Sequence, residues 1–196
     1  MKQLKFYFLL ALFSISMLSC EKKQTINEEE EKLTIPANIK LGDFFAGGYV
    51  FYLKPDKSGG LVFAPSDVSE NPVPWGCRGL QIPILSTEVG EGKNNTETIL
   101  SLCKETNIAA KLCDLYISGG YSDWFLPSVK ELGLIVGVAD DANTNVSSEH
   151  KLSPQDYYWT STRVDDIAAN VIMGKGQIFT GKFRDEKHRV RAARAF

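Results

Sequence analysis

The spacing of apolar positions changes several times along the chain, and each change predicts a different element. Residues 44–53, "FFAGGYVFYL", and 59–66, "GGLVFAPS", are apolar and aromatic runs of strand length. The turn chemistry of Pro55, Asp56 and a glycine pair lies between them, so together they predict a hairpin. Residues 66–92 show no period and are rich in Pro and Gly. A segment that long without elements of its own is packed on the core or belongs to a functional surface.

Helical spacing follows. Ile99, Leu102 and Cys103 share one face of a helix that "NNTE" at 94–97 is suited to open, an Asn cap with an acid three residues on. "NIAAKLCDLY" (107–116) places Ile108, Leu112 and Leu115 at the same spacing, and Gly119-Gly120 end it. In "GYSDWFLPSVKEL" (120–132), Trp124 and Leu126 alternate against Phe125, and Pro127 keeps Leu126 extended. Ser128 and Glu131 then form an S-x-x-E capping box for the helix "VKELGLIVG". Asp123 stands where an Asx turn is the ordinary use of the residue. With every polar member of the window given a structural task, we read it as a joint rather than a catalytic floor.

After a polar loop at 140–154 come four strand-like runs, "YYWTST", "AANVIM", "GQIFTGKF" and "HRVRAARAF", which predict an antiparallel meander. Strands at both ends with helices between them define an α+β domain.

The N-terminus changes the picture of where this domain works. Lys2 and Lys5, an apolar run from Phe6 to Leu18, then Ser19 and Cys20 read as a secretory signal. Its end, "MLSC", resembles the lipobox of bacterial lipoproteins. Residues 1–19 are therefore expected to be a signal peptide, and 20–40 a lipidated Cys20 with a flexible, charged tether. Residues 41–196 form the folded domain. The acid that follows Cys20 resembles surface-export signals of some Gram-negative lipoproteins. The expected location is thus the cell outer membrane, lipid-anchored, surface-exposed or on the periplasmic side. Removing the signal takes away two lysines and no acid, moving the formal charge from -2 to -4. That charge suggests no nucleic-acid partner.

Three cysteines remain. An odd count in an oxidising compartment leaves at least one thiol unpaired. Cys103 and Cys113, on adjacent predicted helices, are the expected disulfide; the alternative is three buried reduced thiols.

Taken in order, "AGGYVFY", "GLVFAPSD", the W-G-C turn, "GEGKNNTETI", "AAKLCDLY", "GYSDWFLPSVKEL", "YYWTST" and "VRAARAF" resemble the Lcl C-terminal domain family from about Phe44 to Phe196. The resemblance implies a C-type-lectin-like fold: small antiparallel sheets, two to three flanking helices, paired N- and C-terminal strands and a long loop region. It does not choose a function, because this fold group hosts several.

Binding of a glycan or an envelope protein, in an adhesion or recognition role, is the leading expectation. The candidate contacts are Arg163, Asp165, Asp166, Lys182, Arg184, Lys187 and His188. Arginine and carboxylate side chains hold hydroxyls or anionic groups through directional, charge-assisted hydrogen bonds. A solvated hairpin edge that discourages sheet pairing is the plainer reading of the same residues. Docking to another envelope protein in a structural or assembly role is the runner-up. Catalysis has few parts: two histidines, His150 and His188, and no residue set that places Cys77 beside a base. We expect no enzyme, no cofactor and no metal site, although Asp140-Asp141 and Asp165-Asp166 are paired acids in loops.

Overall fold

The computed structural model describes residues 33–165, 168–173 and 176–196. The expected signal peptide, Cys20, the tether up to residue 32 and Asp166 lie outside the described residues. In chain order the elements are β1 (Phe44–Phe45), β2 (Gly48–Leu53), β3 (Gly60–Phe63), β4 (Val73–Pro74), α1 (Gly92–Leu102), α2 (Ala109–Asp114) and α3 (Val129–Asp140). A short 3-10 turn at Ser148–His150 precedes β5 (Tyr157–Arg163), β6 (Ala168–Met173), β7 (Ile178–Phe183), β8 (Lys187–His188) and β9 (Ala193–Ala195). Helices and small antiparallel sheets are mixed, as an α+β domain requires. No helix of the described residues is long and apolar enough to cross a membrane.

β2 and β3 form the predicted hairpin, with Tyr49 opposite Phe63 and Val50 opposite Val62. Period-two alternation sends Tyr49, Phe51, Leu61 and Phe63 into one core and Val50, Val62 and Ala64 into another. The sheet is therefore buried on both faces, which is why these strands read as nearly continuous apolar runs. Leu132, Ile135, Val136 and Ala139 of α3 cover the first face. α1, α2, Trp75 and Trp159 fill the second. Each large apolar side chain buried this way contributes about 1.5–3 kcal/mol. Ile39 and Ile35 also pack against the second core, so the folded body begins before residue 41, earlier than the tether boundary we expected.

The last quarter departs from the predicted four-strand meander. β5, β6 and β7 make a three-stranded antiparallel sheet. Lys187–His188 leaves it to pair with β4, and Ala193–Ala195 crosses to β3. Val190, Ala192 and Ala193, each no more than 2 % exposed, are buried by that crossing. The first and last strands of the described residues thereby share one sheet, order β1-β2-β3-β9.

α1 also starts differently. It begins at Gly92 with Glu91 in the N-cap position, so Asn94, the expected cap, falls inside the first turn, where its side-chain amide donates to the Glu91 carboxylate at 3.0 Å. Asn95 is buried and works outward: its amide accepts from the Ser86 N–H at 3.0 Å and donates to the Ser86 carbonyl at 2.7 Å and the Ser161 hydroxyl at 3.0 Å. These bonds hold the irregular segment against the helix. In the second helix, Ile108 is buried as predicted but Leu115 is 61 % exposed, because α2 ends at Asp114 and the third apolar position falls outside it.

The α3 capping box forms as predicted, with Ser128 accepting from the Glu131 N–H and the Glu131 carboxylate accepting from the Ser128 N–H at 2.7 Å. The same carboxylate accepts from the Gly90 N–H at 2.7 Å and the Gly92 N–H at 3.4 Å. It thus ties the start of α3 to the start of α1. A side chain at residue 92 would collide with it, so glycine is required there by close approach. Burial pushes the Glu131 carboxyl above the usual range, against the pull of these amide donors.

The disulfide joins Cys77 to Cys103, with Cα atoms 5.8 Å apart, and corrects the expected Cys103–Cys113 pair. Cys113 is a buried free thiol, packed with Ala109 and Ala110 on the inward face of α2. Cys103 sits just past the end of α1, where the irregular segment carrying Cys77 arrives. Burial raises the Cys113 thiol far above its ordinary value, so it stays protonated and behaves as a small hydrophobe. The bridge closes a loop of sequence separation 26. Cys77→Ser or Cys103→Ser should each cost about 3 kcal/mol of stability by denaturant unfolding, and the double variant no more than either alone. Cys113→Ala should leave the bridge intact. Peptide mapping that recovered a Cys103–Cys113 link would contradict this pairing.

Candidate functional site

Three of the quoted motifs, "GYSDWFLPSVKEL", "YYWTST" and "VRAARAF", meet at one strip of backbone. Phe125 exchanges hydrogen bonds with Ala193 at 2.8 and 2.9 Å. Trp124 and Leu126 enter the second core while Phe125 enters the first. The Ser161 N–H donates to the Pro127 carbonyl at 2.7 Å, and the Val129 N–H to the Thr162 hydroxyl at 3.2 Å, which fastens "YWTST" to the same joint. Asp123 does not form the expected Asx turn. Its carboxylate pairs with the Nε–H of Arg194, which is only 8 % exposed and needs a counter-charge. The Arg194 guanidinium also lies 3.7 Å from the Tyr121 ring centroid and donates to the Ala46 carbonyl at 3.3 Å. Asp123 faces an arginine, Glu131 faces backbone amides, Cys77 and Cys103 are bridged, and Cys113 is buried. These groups are held by different structural partners, so the window is a scaffold joint.

The predicted contact residues separate into groups. Lys182 and His188 meet around Glu186: the Lys182 ammonium is 3.6 Å from its carboxylate and the His188 Nε2 is 3.4 Å away. The Lys182 ammonium also stands 5.2 Å from the Tyr157 ring centroid, while the His188 ring packs 4.6 Å from Trp159. Burial pulls His188 below its ordinary value of 6.5, against the Glu186 carboxylate. Lys187 is exposed on β8, and Arg163 donates from Nε to the Pro83 carbonyl at 2.8 Å.

Arg184 is a correction: it is fully buried rather than an exposed contact. Its guanidinium lies 4.5 Å from the Trp75 ring centroid and donates to the carbonyls of Leu80 at 3.1 Å, Cys77 at 3.3 Å and Asp165. It anchors the irregular segment from within, because backbone carbonyls there have no strand or helix to bond. The Asp165 side chain remains exposed.

An open cleft of about 720 Å³ lies elsewhere. The segment after β3, the end of α3, the 3-10 turn region, Tyr158, Arg189 and Arg191 bound it, and none of the predicted contacts lines it. Asp67 organises its floor. Its carboxylate accepts from Arg189 at 3.1 Å, from the Arg191 Nε–H at 2.9 Å and from the Tyr158 hydroxyl at 3.5 Å. Arg189 also donates from Nε to Asp156 at 2.5 Å. Arg191 further donates to the carbonyls of His150 at 2.8 Å and Ala64 at 3.1 Å, joining both walls. The Tyr158 hydroxyl accepts from the Ser153 N–H at 2.9 Å. Burial, and then the Asp67 charge, push that hydroxyl up to about 12, so it remains a neutral donor. The Ser153 hydroxyl and then Arg189 hold Asp156 below the ordinary carboxylate value.

A floor cross-linked in this way is pre-organised, and its open groups are hydroxyls, carboxylates and one lysine. The sequence contained a signal for it: Arg189 and Arg191 alternate with Val190 and Ala192, so that the arginines face one side while the core takes the other. Asp67, distant in sequence, could not be paired with them by spacing.

No family model and no curated protein matches this chain. Among solved structures it is similar to a fimbrial protein from Bacteroides ovatus ATCC 8483, at 15 % identity and a TM-score of 0.46 over 68 % of this chain. This chain spans about 35 % of that protein's length.

The floor makes stability sensitive to acid in a defined direction. The folded-state value of Asp156 lies below 3.8, so its contribution is complete above pH 3.8 and is lost as pH falls through the lower folded value. Asp156→Asn should therefore be less stable than wild type at neutral pH, and the gap should close below pH 3.8 in thermal melts. A gap that widened on acidification would contradict the Arg189–Asp156 pairing.

Proposed function

We propose that this chain is a lipid-anchored envelope protein of the Lcl C-terminal domain type, whose C-type-lectin-like domain recognises a glycan in the cleft around Asp67. The observation that carries this reading is the cleft's rigid polar floor, in which Asp67, Arg189, Arg191 and Tyr158 are locked by mutual hydrogen bonds beneath an open volume of about 720 Å³. Rigid donors and acceptors facing an open polar cavity lower the ordering cost of holding a hydroxyl-rich ligand. The acids of the floor are already ion-paired, which suits binding better than proton transfer. The anchor follows from Cys20 and the residues before it: several acyl chains, at about 0.8 kcal/mol per buried methylene, give lasting membrane attachment.

Docking to another envelope protein is the second reading, favoured by the exposed apolar residues Ile84, 93 % exposed, and Val164, 46 % exposed. The Arg163–Pro83 hydrogen bond brings their two segments together.

Two experiments test these readings. The detergent-solubilised chain on a glycan array should give saturable signals that Arg189→Ala, or Ser148→Trp at the cleft wall, weakens at least tenfold, or about 1.4 kcal/mol. A blank array, or signals indifferent to both changes, would remove the cleft from recognition. Co-purification of a protein partner lost on Ile84→Asp would then favour docking. Separately, Cys20→Ser should move the protein from the membrane fraction to the soluble fraction, and continued membrane recovery would refute the anchor.

A further inference from the structure

We infer that the cleft takes an uncharged polyhydroxyl segment and turns away the carboxylated or sulfated counterpart; this rests on the cleft being the binding site. Arginine can serve either kind of ligand, so the question is whether its charge is available. Among the described residues, two arginines line the cleft. Arg191 has a side chain only 4 % exposed and pairs with Asp67 at 2.8 Å. Arg189 is shared between Asp67 at 3.1 Å and Asp156 at 2.5 Å. Two guanidiniums thus face two carboxylates, and the floor is electrically balanced.

An anionic ligand would have to compete with Asp67 and Asp156 for the same guanidiniums, inside walls that carry Glu70, Asp140 and Glu149 against Lys151. Like charges brought together at such a site cost affinity without any compensating contact. A neutral hydroxyl meets no such conflict. It donates to carboxylate oxygens and accepts from the guanidinium N–H groups not already used, leaving both ion pairs in place.

The test uses the detergent-solubilised full chain and matched hexasaccharides of glucose, mannose and galactose, each beside its uronic-acid counterpart, followed by calorimetry. At least one neutral hexamer should bind ten or more times more tightly than its uronate. Its affinity should change less than twofold between roughly 0.02 and roughly 0.3 M NaCl, since no net charge pairing forms. Asp156→Asn, which removes one of the two acids on Arg189, should narrow the neutral preference at least threefold, with a thermal melt confirming that the variant folds. A uronate that bound as tightly as its neutral partner, with affinity falling steeply in salt, would overturn this inference and leave the cleft reading standing. Silence of the whole panel together with a blank glycan array would overturn both.

Discussion

A single extended rib, Trp124-Phe125-Leu126, is paired with Ala193 and buried on both sides, and the rest of the molecule depends on it. Its odd and even side chains enter different cores, so one short segment joins the two faces of the central sheet. Phe125 packs in the core that α3 covers, and Trp124 and Leu126 pack in the core that holds Trp159. The polar groups around it are correspondingly well matched: Glu131 to three amides, Thr96 to the Leu126 N–H at 3.0 Å, and Arg194 to Asp123. Partly satisfied, such a buried network would destabilise the fold; with its partners in place it selects one arrangement.

That division of labour explains why the irregular segments can carry function. The joint, the capping box, the disulfide and buried Arg184 fix the long segment after β4 without regular structure. Arg191 does the same for the 3-10 region by holding the His150 carbonyl. Loops held this way present their side chains with little entropy left to lose, which favours recognition.

Much of the frame was legible in the chain itself. The hairpin, the alternation at Trp124 to Leu126 and the Ser128–Glu131 box follow from local periodicity and capping chemistry, which act between near neighbours. The misreadings share a different cause. Asp123 and Arg184 each have ordinary local uses, and each is claimed instead by partners far along the chain. The Cys77–Cys103 bridge depends on where an aperiodic segment crosses α1, which no spacing rule encodes. The last strand followed burial of Val190, Ala192 and Ala193 rather than the nearest sheet edge. The cleft was missed for the same reason, since Asp67 and Arg191 are separated by most of the domain.

Amide hydrogen exchange of the full chain, measured with and without a bound neutral oligosaccharide, tests most directly whether recognition lies in the cleft and the rib serves as scaffold. Binding in the cleft predicts new protection at residues 66–70, 147–158 and 189–191, with exchange across 123–132 slow and unchanged. Protection that appeared at 123–132 while the cleft segments stayed as they were would contradict it.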